Sequence, residues 1–310
     1  MSPLAVVLAS IAGVLAALAA LLFATAHYFY LFALEPRSRA FITRRHALPP
    51  NPELERGRRW LEPRAQHMWI RSQEGLLLHA CRVEPPEPAA LWVICLHGYT
   101  GRCSDMAGQA QQYSAMGYGA LLPDLRGHGS SQGEIGMGWP DRRDLLLWIR
   151  ALHERYPAAR IALHGVSMGA ATVMMASGEP DLPPYVTAVI EDCGYTSVWE
   201  MFACQLRERF HLPRFPLLYL FALVHRVRSG FWIQRASALR QVARSHTPTL
   251  FIHGDADELV PFSMLDRLYA AAACPKERLA VPGSPHAVAC AHAPGLYWTA
   301  VRSFLSRYAL

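Results

Sequence analysis

With 310 residues, 52% of them hydrophobic and 17% charged, the chain is long enough for one large α/β domain plus an appendage, and it is richer in apolar groups than a typical soluble domain. The net charge of +6 is modest and the arginines are scattered, with no basic stripe interleaved with aromatics, so nucleic acid is excluded as the expected partner. Seven cysteines, at 81, 95, 103, 193, 204, 274 and 290, make an odd count with no C-x-x-C pair, which argues for reduced thiols rather than a disulfide framework.

From Leu4 to Leu34 no residue is formally charged. As a helix this stretch would extend about 46 Å, more than a bilayer core requires, and Leu4 to Phe23 would span alone. Tyr28, Phe29, Tyr30 and Phe32 follow, where an interfacial aromatic belt belongs. Arg37, Arg39, Arg44 and Arg45 come next, while no Lys or Arg precedes the segment. The positive-inside rule therefore predicts a single-pass membrane protein with the rest of the chain cytoplasmic. The competing reading is export after signal cleavage near Ala24-Thr25-Ala26; against it stand a long apolar core and the lack of an initial basic residue. The expected division is a transmembrane anchor over 1–35, a basic, proline-rich linker over 36–64, and a globular domain over 65–310. The linker is a poor candidate for regular structure beyond a short helix at Arg56–Leu61. It is either held to an anionic leaflet by its charge or is a solvated tether.

A hairpin is predicted at His67–Ser72 and Leu76–Val83, turning at Gln73-Glu74-Gly75. Ala90–Leu96 is a continuous apolar run, read as a central buried strand opening into His97-Gly98-Tyr99-Thr100-Gly101. A helix over Asp105–Met116, a strand over Tyr118–Leu122, a glycine-rich loop at 123–130 and a helix over Pro140–Tyr156 lead to the strand Arg160–His164. Further strands are expected at Tyr185–Glu191, Thr249–His253 and Arg278–Pro282, with helices over Pro261–Ala273 and Pro294–Tyr308. Strands alternating with helices at this spacing predict an α/β fold with a mostly parallel, doubly wound sheet. The stretch 198–245 is too long for a simple crossover. It reads as a cap of helices, Trp199–Phe210, Pro216–Val227 and Phe231–Arg244, whose apolar side chains either roof a pocket or pack on the domain body. Phe202, Leu206, Leu218 and Phe221 are the candidates for substrate contact.

The chemistry centres on Gly165-Val166-Ser167-Met168-Gly169, between the strand ending near His164 and a helix over Ala170–Ala176. A serine at a tight strand-to-helix turn is held in strained geometry with its hydroxyl presented, and the helix start places the Met168 N–H where an oxyanion would form. Such a nucleophile needs a base and an acid to orient that base. Downstream, in order, come an acid loop at 253–261 and His286 just past the last strand. His286, Cys290 and His292 sketch a metal site, but chance clustering on a loop is the better account, so no metal and no cofactor are expected.

Together, His97-Gly98-Tyr99, the Asp124–Gly129 loop, the Ser167 elbow, Glu191-Asp192-Cys193-Gly194-Tyr195, the Asp257 loop and His286 resemble the α/β-hydrolase superfamily. The branch is that of serine aminopeptidase-like and lysophospholipase-like hydrolases, and the resemblance runs from about Met68 to Leu310. It implies Ser167 as nucleophile, His286 as general base and Asp257 as orienting acid. The family's acid is followed by two residues and then Val-Pro, which selects Asp257 over Asp255. The backbone N–H groups of Tyr99 and Met168 would form the oxyanion hole. Where the family often has Gly before its histidine, this chain has Pro285. The expected function is a membrane-tethered serine hydrolase acting on a small-molecule or lipid-like acyl ester or thioester. The alternatives are a peptidase or amidase of the same fold, and a catalytically silent, membrane-bound interaction protein.

Overall fold

The computed structural model describes residues 2–35, 52–85 and 90–309. The arginines at 37, 39, 44 and 45 and most of the expected linker lie outside the described residues. In chain order the elements are α1 (Pro3–Leu34), α2 (Pro52–Leu61), β1 (Gln66–Arg71), β2 (Leu77–Val83), β3 (Leu91–Leu96), α3 (Ala107–Ala115), β4 (Gly119–Pro123), α4 (Asp141–Arg155), β5 (Arg160–Val166) and α5 (Met168–Ser177). Then follow β6 (Val186–Asp192), α6 (Val198–Phe210), α7 (Leu217–Ser229), α8 (Ala238–Val242), β7 (Thr249–Gly254), α9 (Ser263–Ala271), β8 (Lys276–Val281), α10 (Ala289–His292) and α11 (Pro294–Tyr308).

Eight strands form one sheet in the order β1-β2-β4-β3-β5-β6-β7-β8. β2 runs antiparallel to β1 and to β4, and every later pairing is parallel. Strand residues divide between two apolar layers: Trp92, Ile94 and Leu96 enter the layer that holds α4, α5 and the cap, while Val93 and Cys95 enter the layer that holds α3 and α11. Both faces are covered, so β3 can be apolar along its length without alternation.

Three local expectations change. First, the linker carries a helix over Pro52–Leu61, longer than the short helix expected at 56–61. Gly57 lets it lie directly on α3, where a Cβ would come within 2.8 Å of the Gly108 nitrogen. Second, the helix expected at Phe231–Arg244 is a 3-10 turn, Ile233–Arg235, and the short α8. The backbone between them is diverted: the Ala236 carbonyl accepts from the Val198 N–H and the Leu239 N–H donates to the Thr196 carbonyl. Ser237 then starts a new helix by accepting from the Arg240 N–H.

Third, the aromatics after Phe23 have protein partners. Among the described residues α1 is the one helix long and apolar enough to cross a membrane, and its most apolar stretch is unburied. Its end is different. Ala26, Tyr30 and Leu34, four residues apart on one helical face, are buried against the cap. The Tyr30 hydroxyl donates to the Glu134 carboxylate at 2.8 Å and meets the Ser229 hydroxyl at 2.9 Å. Phe29 and Phe32 present ring faces and edges to Phe210, at centroid distances of 4.9 and 6.4 Å. Of the four aromatics expected as an interfacial belt, only Tyr28 is largely exposed, at 60%.

Candidate active site

β5 delivers its last residue, Val166, directly into Ser167, whose φ of +56° and ψ of −112° lie where L-residues are strained. The flanking glycines are sterically required. A Cβ on Gly165 would overlap the Gly169 carbonyl, and one on Gly169 would overlap the Leu96 carbonyl. The Ser167 N–H is anchored on the Asp192 carbonyl at 2.8 Å, and the Ala171 N–H closes the first helical turn on the Ser167 carbonyl. Met168 opens α5, so its N–H has no carbonyl one turn earlier within the helix.

The two downstream loops meet at this serine. His286 Nε2 lies 2.9 Å from Ser167 Oγ, and His286 Nδ1 lies 2.6 Å from Asp257 Oδ2. Asp257 is held from its other side, since Oδ1 accepts from the Leu259 and Val260 N–H groups, both at 2.8 Å. His253, fully buried on β7, brings Nε2 to 3.1 Å from Asp257 Oδ2. Burial alone would raise the Asp257 carboxyl, but the hydrogen bonds from His253 and His286 hold it well below the usual carboxylate range. Asp255 is exposed and serves elsewhere, accepting from the Gly283 N–H at 2.6 Å and so bracing the histidine loop.

Two further acids end β6, and burial changes both. It pushes Glu191 up to about 8 and Asp192 up to about 6. Of the three carboxyls at this edge, Asp257 alone is driven toward full ionisation, and it is the one facing the imidazole that touches serine. His253 is a partner of Asp257 that the sequence did not single out. The signal was its i, i+4 spacing to Asp257, which carries little weight on a strand end.

The loop after β3 runs beside the serine. A Cβ on Gly98 would lie 3.4 Å from Ser167 Cβ, an ordinary van der Waals contact, so the loop passes right beside the serine. His97 fixes this loop: Nε2 accepts from the Leu125 N–H at 3.0 Å, and Nδ1 faces the Gly98 carbonyl at 2.8 Å. Leu125 belongs to the glycine-rich loop, which Asp124 organises by accepting from the Cys103 and Ser130 N–H groups and from His79. Burial works against the Asp124 charge, yet the His79 bond and those N–H groups bring its pKa down to about 2. For His79, burial lowers and Asp124 raises, and the raised side prevails at about 9. The Tyr99 side chain leaves the site and donates its hydroxyl to the Ala33 carbonyl at 2.6 Å.

The cap candidates divide. Leu206, Leu218 and Phe221 are buried at 7, 1 and 4% exposure in the continuous core, and Phe221 sits 6.0 Å from the Tyr30 ring. Phe202 is half-buried and meets Phe221 edge-on at 5.1 Å. Three of the four are thus committed to packing within the cap and against α1. His286, Cys290 and His292 are not drawn together. Among the described residues the ligand-type clusters are His67, His79 and Cys81; His79, Cys103 and Asp124; and Cys193, Asp257 and His286.

A mixed sheet in this order, with a serine on the turn between β5 and the helix after it, is the α/β-hydrolase fold. The family model that matches, over residues 87–207, is described as serine aminopeptidase, S33. Among relatives, the uncharacterized protein YqkD of Bacillus subtilis is 28% identical over 238 residues, covering 76% of this chain and 77% of its own. The uncharacterized protein Rv2307c of Mycobacterium tuberculosis is 32% identical over 197 residues, covering 63% of this chain and 62% of its own. Among solved structures, the Pyrococcus furiosus esterase Pf2001 superposes with a TM-score of 0.65 at 22% identity, over 79% of this chain and 93% of that one.

Proposed function

We propose that the chain is a membrane-tethered serine hydrolase that cleaves carboxylic esters through an acyl-enzyme. The observation that carries the reading is the continuous line Ser167 Oγ, His286, Asp257 at 2.9 and 2.6 Å. With Nδ1–H donated to Asp257, His286 Nε2 is free to accept the serine proton as Oγ attacks the ester carbonyl. The tetrahedral oxyanion would be met by the Tyr99 and Met168 N–H groups. Collapse expels the alcohol, which takes the proton from His286. Water then attacks the acyl-enzyme, giving its proton to His286, and Ser167 leaves with that proton as the acid is released.

Ester over amide is supported by an esterase among the fold neighbours, whereas the matched family description favours the peptidase alternative. Each methylene buried on binding is worth about 0.8 kcal/mol, close to fourfold in affinity. For the full-length protein in detergent micelles, kcat/KM is expected to rise from p-nitrophenyl acetate to the octanoate. A falling profile ends the lipid-like reading, and faster turnover of aminoacyl anilides than of any ester favours the peptidase. The silent interaction protein is separated by covalent labelling, described in the Discussion.

The tether reading is supported by the length and apolarity of α1, and a cytoplasmic hydrolase domain by the arginines at 37, 39, 44 and 45 in the sequence. A reporter fused after Leu310 is expected to read cytoplasm, with the N-terminal segment retained. A mature protein beginning near His27 in an exported fraction would establish the signal-peptide alternative instead.

A further inference from the structure

We infer that the last turns of α1 are a working part of the active site, holding the oxyanion loop in register through the bond from the Tyr99 hydroxyl to the Ala33 carbonyl. The inference rests on Ser167 as nucleophile and deepens that reading. It begins at a helix end. The final carbonyls of any helix lack partners within the helix and must find them elsewhere. In α1 the Leu31 carbonyl takes the Glu35 N–H, but two later carbonyls are met by the hydrolase domain: Ala33 accepts from Tyr99 and Leu34 accepts from the Ile135 N–H at 3.3 Å. The domain therefore completes the helix terminus, across 66 residues of sequence in the Tyr99 case.

The other end of that bond matters more. Tyr99 follows Gly98, whose backbone runs against Ser167, and precedes Thr100, which adopts a φ of +72°. A rigid phenol ring tied at its tip to a seated helix restricts where the Tyr99 backbone N–H can sit. The seat is itself over-determined. Ala26, Tyr30 and Leu34 are buried, Tyr30 is hydrogen-bonded to Glu134 and Ser229, and Phe29 and Phe32 pack on Phe210. A helix serving only as a tether needs none of these contacts. Tyr99 and Ala33 thus act as positioning groups, and they do so in the transition state, where the oxyanion exists.

Three full-length variants in detergent micelles test this, each compared per mole of fluorophosphonate-titrated enzyme. Removing an oxyanion donor outright costs about 10²–10³ in kcat, so Tyr99→Phe, which only loosens one, is expected to lower kcat about tenfold with KM nearly unchanged. One alanine inserted after Tyr30 turns Ala33 and Leu34 by about 100° and should lower kcat similarly. Adding Tyr99→Phe to that insertion should cost little more, since both remove one interaction. One alanine inserted after Leu15, in the exposed part of α1, should leave kcat unchanged. A merely structural seat would lower the melting temperature while kcat per labelled site stayed at the wild-type value, and that result overturns the inference. If the Tyr30 insertion fails to fold, unchanged kcat in Tyr99→Phe overturns it alone. Absence of fluorophosphonate labelling in the wild type would instead strike down the nucleophile reading, and this inference with it.

Discussion

Ser167→Ala is expected to abolish labelling by a fluorophosphonate and to cut ester turnover by about 10⁶ in kcat. The reason is local. Ser167 is the side chain presented to His286 Nε2, and its φ of +56° is a conformation the elbow imposes whatever residue stands there. Alanine fits that backbone as well as serine does, so the fold should survive and the melting temperature should stay within a few degrees. What disappears is the covalent route. Water could still be activated by His286 beside the oxyanion donors, which leaves a small residual rate rather than none. Mass spectrometry of the labelled wild-type protein should place the adduct on the peptide containing Ser167. Undiminished labelling of the alanine variant would point to another serine and dissolve the reading of the elbow. An unlabelled wild-type protein with the elbow intact would favour the silent interaction protein.

Asp257→Asn is expected to cost about 10³–10⁴ in kcat, while Asp255→Asn should cost far less. Both acids lie in the same loop, yet their tasks differ. Asp257 Oδ2 accepts a hydrogen bond from His286 Nδ1–H and Oδ1 accepts from two backbone N–H groups; Asp255 only ties down the Gly283 N–H. An asparagine side chain that keeps its oxygen on Leu259 and Val260 turns its NH₂ toward His286 and selects the wrong tautomer. The base then offers a proton to serine where it should offer a lone pair. Asp257 carries a stability role as well. A carboxylate whose folded pKa is depressed contributes stability above its unfolded value of about 3.9, lost as pH falls through the folded value. The Asp257→Asn variant should therefore have a lower melting temperature than wild type at pH 7, and the gap should narrow in strong acid. Measuring kcat and melting temperature for both variants checks the assignment, and the reverse ranking would show the acid to be Asp255.

How much of this could be read in advance depends on the kind of force at each place. The elbow was legible because its glycines answer a collision between backbones, and such collisions leave a fixed spacing in sequence. The central strand β3 was legible because a sheet covered on both faces demands unbroken apolar runs. The third cap helix was misread because Phe231–Arg244 is compatible with helix locally, whereas the hydrogen bonds that divert it come from residues 196 and 198. α2 was under-read for a related reason. Gly57 counts against a helix in isolation, yet it is what permits close contact with α3. The end of α1 was hidden more thoroughly. A side chain facing lipid and one facing a protein core are both apolar, so nothing in Ala26 or Leu34 distinguishes the two. Only the Tyr30 hydroxyl and its distant partners betray the difference.

The seat of α1 also sets a problem of timing. Tyr30 is made long before its partner Ser229, which lies 199 positions later. Until then the end of the helix must wait without these partners. Contacts of such sequence separation close late, because the loop entropy is spent before the contact returns anything. The seat that steadies the loop beside Ser167 would then form late, completed when the cap folds back onto a helix made long before it.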